Sequence, residues 1–159
     1  MKIENLSISL SQNDILNSFS YQDKIRIKSL SIGKETKLNA VYKVVGVNME
    51  FDATLVFDKL ENNIIYINIV DFALSKKYNM NSLIKKSVNF IINTLSSIRG
   101  LYVDSKLIKI NLNEIINSYL VEEHYLSMNN LEISSITFKN TNNINFIIKT
   151  LDFDVLEKK

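Results

Sequence analysis

Apolar residues recur at every second position through the first half of the chain: Ile25/Ile27, Leu30/Ile32, Leu38/Ala40/Tyr42/Val44, Val47/Met49/Phe51/Ala53/Leu55/Phe57 and Ile65/Ile67/Ile69. Successive side chains of a strand point to opposite faces, so this spacing predicts strands with one dry and one wet face, as in an antiparallel sheet. The phase slips between Ile27 and Leu30 and again between Ile69 and Phe72. A slip of one residue would turn every later side chain over, so bulges or bends are expected at both places, adding twist and curvature. Gly33-Lys34-Glu35, Glu61-Asn62-Asn63, Asn129-Asn130 and Asn142-Asn143 read as turns. Asparagine tolerates left-handed backbone and can stand in for glycine, of which the chain has three.

The period then changes. Met80, Ile84, Val88, Ile91, Leu95 and Ile98 fall three or four residues apart, with Leu83 and Ile92 widening the stripe and Lys85, Lys86, Asn89, Asn93 and Ser96 opposite. This predicts one long amphipathic helix over about residues 79–99, with Gly100 at its C-terminal end. Alternation resumes at Leu101/Val103 and Leu107–Leu112, and again through Leu131/Ile133, Ile136/Phe138, Ile144/Phe146/Ile148 and Leu151/Phe153/Val155. Two short helices are expected at about 11–20 and 113–121. Those two stretches echo one another: Asp14-Ile15-Leu16-Asn17-Ser18-Phe19 has the pattern of Glu114-Ile115-Ile116-Asn117-Ser118-Tyr119. Each follows a residue suited to capping a helix N-terminus, Ser11 in the first and Asn111 or Asn113 in the second.

The expected fold class is therefore α+β, a strongly curved antiparallel meander sheet wrapped around one long amphipathic helix, with two short helices. A length of 159 residues suits a single domain spanning 1–159. Nineteen basic against 17 acidic residues leave a formal charge of +2, too balanced for an electrostatic nucleic-acid binder. The absence of cysteine removes disulfides, thiolate nucleophiles and zinc–thiolate sites. Met1–Ser7 carries charges where a signal peptide would be apolar, and the apolar runs are far too short for a bilayer span. A soluble cytoplasmic protein is expected.

Chemistry-bearing motifs are sparse. Ser82-Leu83-Ile84-Lys85 has the Ser-x-x-Lys spacing of penicillin-recognising acylases but none of the companion motifs, so a solvated helix face is the better account. Asp152 and Asp154 share a strand face without a histidine or further carboxylates nearby in sequence, which is not a metal pattern. His124, the single histidine, lies in the polar stretch Glu122-Glu123-His124. No glycine-rich phosphate loop occurs. The chain is accordingly expected to be non-enzymatic, with no cofactor and no metal.

Function follows from counting faces. About eight apolar strand faces exceed what one long and two short helices can cover, unless helix and sheet close on one another completely. If they do not, an apolar groove remains for a lipid or other apolar small molecule, or for a protein partner or second copy. On the first alternative Met80, Ile84, Val88, Ile91 and Leu95 would contact the ligand from the helix, and Met49, Phe51 and Phe57 from the sheet. Lys76, Lys77, Lys85, Lys86 and Arg99 form a basic cluster, either a wet helix face or a contact for acidic headgroups or an acidic partner, implying at most peripheral membrane contact.

The order of elements, carried by Leu10–Phe19, Leu38–Phe57, Met80–Ile98 and Ile110–Tyr119, resembles the tubular lipid-binding (TULIP) superfamily, which includes the BPI-like proteins. That resemblance is one of pattern and covers most of the chain. It implies a sheet folded around a long helix with lipid held between them, and no catalysis. The other alternative is a protein–protein interaction module, an assembly or accessory subunit whose apolar groove a partner or a second copy buries.

Overall fold

A computed structural model describes residues 1–19, 25–44, 46–74, 89, 92, 93, 95–139 and 142–156. In chain order the elements are β1 (Lys2–Ser11), α1 (Gln12–Phe19), β2 (Ile25–Ser31), β3 (Glu35–Val44), β4 (Val47–Glu61) and β5 (Ile64–Leu74). After these come β6 (Leu101–Asp104), β7 (Leu107–Asn111), α2 (Leu112–His124), β8 (Leu126–Lys139) and β9 (Asn143–Val155). The strands form two antiparallel sheets, one of three strands ordered β1-β9-β8 and one of six ordered β2-β3-β4-β5-β7-β6.

This corrects the expected fold class. Among the described residues the chain is mostly antiparallel β in two sheets rather than one meander, the helices α1 and α2 are short, and no long amphipathic helix is present. Of the stretch expected to be that helix, residues 79–88, 90, 91 and 94 lie outside the described residues. Asn89, Ile92, Asn93, Leu95 and Ser96 are helical. Beyond Ser96 the backbone tightens: Ile98 N–H donates to the Leu95 carbonyl and Leu101 N–H to the Ile98 carbonyl. Bonds three residues apart are those of tight turns, not of an α-helix continuing to Arg99. Spacing records which side a helix would bury but not its intrinsic strength, and 79–99 is rich in asparagine, serine and β-branched residues, which are weak helix formers.

The one-sheet expectation failed for a different reason. Alternation says that a segment is a strand, not which strand it joins, and here β1 pairs with β9 at the far end of the chain, Leu6 opposite Ile148 and Ile8 opposite Phe146. The main-chain groups of Met1 and Phe153 bond at the same ladder.

Local irregularities sit where the alternation slips. The β2–β3 register shifts between Ile27 and Ser29. In β4–β5, Thr54 opposes Asp71 and Leu55 opposes Ile69, leaving Val70 as the extra residue of a bulge. Asn129-Asn130 is not a turn: both residues lie within β8, whose register shifts between Met128 and Asn130.

Two buried clusters result. Ala40, Tyr42, Phe51 and Ala53 lie on the six-stranded sheet, with Ile25, Leu38, Phe72, Leu74 and Leu95 packed against them. Leu131, Ile133 and Ile148 lie on the three-stranded sheet, where Leu6, Leu60, Leu112 and Ile116 join them, so β4 and α2 of one region close onto β8 and β9 of the other.

One side chain makes several of the hydrogen bonds across the seam between the sheets. Asn63, in the β4–β5 turn with φ 60°, donates from Nδ2 to the Leu131 carbonyl (2.7 Å) and to Asn113 Oδ1 (3.1 Å), and its Oδ1 accepts from Ile133 N–H (3.0 Å). Its main-chain carbonyl accepts from Leu112 N–H at the start of α2 (3.0 Å). Bonding the carbonyl of one residue and the N–H of the next but one is what a neighbouring parallel strand would do, so the amide stands in for one residue of a strand along β8.

Asn63→Gly keeps the left-handed turn but removes the amide, and is expected to lower the unfolding free energy by about 2 kcal/mol because part-buried groups of β8 lose their partners. Asn62→Gly, at an exposed turn position with φ 52°, is expected to change it little. Urea denaturation of the two variants beside wild type makes the comparison. A Cβ at Gly100 (φ 80°) would stand 2.7 Å from Ile115 Cγ1 and 2.9 Å from the Asn111 carbonyl oxygen. Gly100→Ala should therefore lower the melting temperature clearly, and an unchanged melting temperature would show that β6 and α2 do not meet there.

Candidate interaction surface

The residues singled out from sequence are only partly brought together. Phe51 and Leu95 meet in the cluster on the six-stranded sheet, where Phe51 also stacks on Phe72 with ring centroids 5.2 Å apart. Met49, on the neighbouring stretch of β4, is buried. Phe57 lies apart from them, edge-on to Phe138 of β8 at 5.3 Å, so it bridges the two sheets. Met80, Ile84, Val88, Ile91, Lys76, Lys77, Lys85 and Lys86 lie outside the described residues. Arg99 is exposed in the turn before Gly100. Phe51 and Met49 are each 5% exposed and Tyr42 is 0% exposed, so this apolar face is covered by the chain's own atoms.

Polar groups that converge do so to build structure. The Asp14 carboxylate accepts from Ser11 N–H and from Ser11 Oγ, both at 2.7 Å, while Asp14 N–H donates back to Ser11 Oγ. Asn111 and Glu114 pair at the start of α2: Asn111 Nδ2 donates to Glu114 Oε1 (2.8 Å) and Glu114 N–H donates to Asn111 Oδ1. Both echoed segments thus start with an acidic residue bonded back to the cap residue, but only in α1 does the carboxylate take the cap's backbone N–H; that of Asn111 donates to the Gly100 carbonyl (2.7 Å). Tyr102, from β6, adds its hydroxyl to both oxygens of Glu114 (2.9 and 2.8 Å), which holds the phenol proton and raises its pKa. His124 lies edge-on to Tyr119 on an exposed helix end. Among the described residues no group of three histidine, cysteine or acidic side chains is placed to hold a metal, and no helix is long and apolar enough to cross a membrane.

The surface that remains is the outer edge of β1. Directly opposed residues share a sheet face, so the apolar side of the three-stranded sheet is built in rows. These are Leu6–Ile148–Ile133, Ile8–Phe146–Ile136 and Leu10–Ile144–Phe138. The first row is sealed beneath α2 and Leu60. The other two open toward β1, where Ile8 is 36% and Leu10 37% exposed. Backbone direction follows from the end of the strand. Gln12 N–H donates to the Asn142 carbonyl on the β9 side, and Ser11 N–H turns the other way, to Asp14. Alternation then places the backbone groups of Ser7 and Ser9 on the outer edge.

Among the described residues, Asn63 bonds β8 at Leu131 and Ile133, α1 packs near β2 and β6 is four residues long. Beyond the end of β2, Asn142 Oδ1 also accepts from Ile32 N–H at 3.1 Å. Over Leu6–Leu10 the β1 strand carries no charge, no proline and no register shift, the devices that usually blunt an edge, while at Ser11 the Asp14 carboxylate caps the edge. Sequence reasoning missed this surface because it sought unpaired faces rather than unpaired edges. The alternation Leu6/Ile8/Leu10 between serines was the available signal. Compared with known proteins, the chain matches no family model, no curated protein and no solved structure.

Hydrogen bonds from Ser11, the hydroxyl first and then the backbone N–H, depress the Asp14 pKa below the usual aspartate value. A depressed folded-state pKa means that the capping contribution is present above the ordinary aspartate value and is lost as pH falls through the folded one. Carbon-detected NMR titration should find the Asp14 midpoint below that of an unstructured aspartate, and Ser11→Ala should move it back up. Identical midpoints in both proteins would rule out the capping box in solution.

Proposed function

We propose that this chain is a non-catalytic protein–protein interaction module that docks partners by strand addition at the outer edge of β1. The observation carrying this reading is a strand of ten residues on the open side of its sheet. Its half-exposed Ile8 and Leu10 extend the apolar rows of β9, and Ser7 and Ser9 turn their backbone groups outward. In strand addition the main-chain bonds supply affinity, and pockets for alternate side chains supply selectivity. Coverage of Phe51, Met49 and Tyr42 by the chain's own atoms favours this reading over an apolar ligand held at that face.

The test uses a fluorescent, uncharged peptide of alternating valine and threonine as a generic strand. Saturable binding is expected, followed by fluorescence anisotropy, with the Ser7 and Ser9 amides shifting in NMR spectra. Ser9→Pro removes an outward N–H at an edge position that accepts proline, and should weaken binding at least tenfold while leaving the circular dichroism spectrum unchanged. With the protein diluted until it is monomeric, equal binding by Ser9→Pro and wild type, or no binding by either, would sink the reading.

A further inference from the structure

We propose that a second copy of this chain occupies the β1 edge, the two β1 strands pairing antiparallel across a two-fold axis at Ile8. The sheet then runs β8-β9-β1 from one copy straight into β1-β9-β8 of the other. The proposal rests on the strand-addition reading and names its partner.

The register follows from symmetry. In a two-fold contact, if residue i opposes j then j opposes i. With the axis at Ile8, Ile8 opposes its own counterpart, Leu6 opposes Leu10, and Ser7 opposes Ser9. The apolar pairs fall on the face already formed by Ile144, Phe146 and Ile148, so the open rows of one copy continue into those of the other. On the edge, Ser7 and Ser9 are the residues whose backbone groups point outward, and in this register each Ser7–Ser9 pair can exchange both N–H···O=C bonds.

Neighbouring registers fail. An axis at Ser7 sets Glu4 against Leu10, and an axis at Leu6 sets Lys2 against Leu10 and Glu4 against Ile8. Shifting the axis to Ser9 instead sets Ser7 against Ser11, whose N–H is held by Asp14. An axis between residues would place an outward-pointing backbone group against an inward-pointing one. Charge agrees with the choice of a like partner. Asn5–Ser11 is uncharged, so self-pairing opposes no like charges, and Lys2 and Glu4 remain outside the apolar segment as an ion pair with one another.

Sedimentation equilibrium of the full chain at micromolar to sub-millimolar concentration is expected to give twice 18.3 kDa, falling toward 18.3 kDa on dilution. Ile8→Lys and Ile8→Glu each place like charges face to face on the axis and should each give the monomer mass. Mixed together they should recover the dimer, because the ammonium introduced in one copy then opposes the carboxylate introduced in the other. Circular dichroism checks that each variant is folded, and Ser9→Pro supplies a second, uncharged monomer variant should either charge variant unfold. A wild-type monomer that still binds the valine–threonine peptide overturns the second copy and leaves the strand-addition reading standing, whereas a monomer that binds no peptide overturns both. A dimer that survives in a folded Ile8 or Ser9 variant also overturns the proposal, since the contact then lies elsewhere.

Discussion

Hydrogen bonding by the Asn63 side chain is the constraint on which the junction of the two sheets depends. Two antiparallel sheets that meet at an edge leave a row of backbone donors and acceptors facing one another without a strand between them. Burying those groups unpaired would cost more than the apolar contacts nearby recover. A single carboxamide, carried on a left-handed turn, satisfies both kinds of group on β8 and also reaches α2 through Asn113. Asn142 repeats part of the arrangement in the β8–β9 turn, with φ 58°. Its carbonyl accepts from Gln12 at the start of α1, and its side chain accepts from Ile32. Each helix start is therefore tied to the hairpin turn beside the strand that precedes it.

Those contacts make the sheet edges unequal. Where a side chain or a helix already lies along an edge, a foreign strand has nothing to bond. The β1 edge is left with the backbone groups of Ser7 and Ser9 outward, its apolar residues half open and its charges at the two ends, Lys2 and Glu4 at one and Asp14 beside Ser11 at the other. A bare edge is a hazard unless something specific covers it.

Much of the local structure was legible. The alternation located β2 to β5, the phase slips marked the irregularities at Lys28 and Val70, and the two echoed segments became α1 and α2, each with an acidic residue bonded back to its cap residue. What misled was the stripe from Met80 to Ile98, where a clear period was taken to mean one long helix. Among the candidate contacts, Phe51 and Leu95 do meet. Phe57 does not join them, because it lies further along β4, where its ring meets Phe138 of the three-stranded sheet edge-on.

Sequence alone settled features governed by neighbours a few positions apart: that β2 to β5 are strands, where β2 and β5 slip in register, and that the two echoed segments are short helices. Tertiary structure decided that β1 joins β9, that the described strands form two sheets, that Phe51 and Met49 are sealed and that β1 lies at the edge of its sheet. The reason is that an alternating strand fits beside almost any other alternating strand. Only the competition among all of them, settled by a few asparagine amides and by which apolar rows can close together, selects one arrangement.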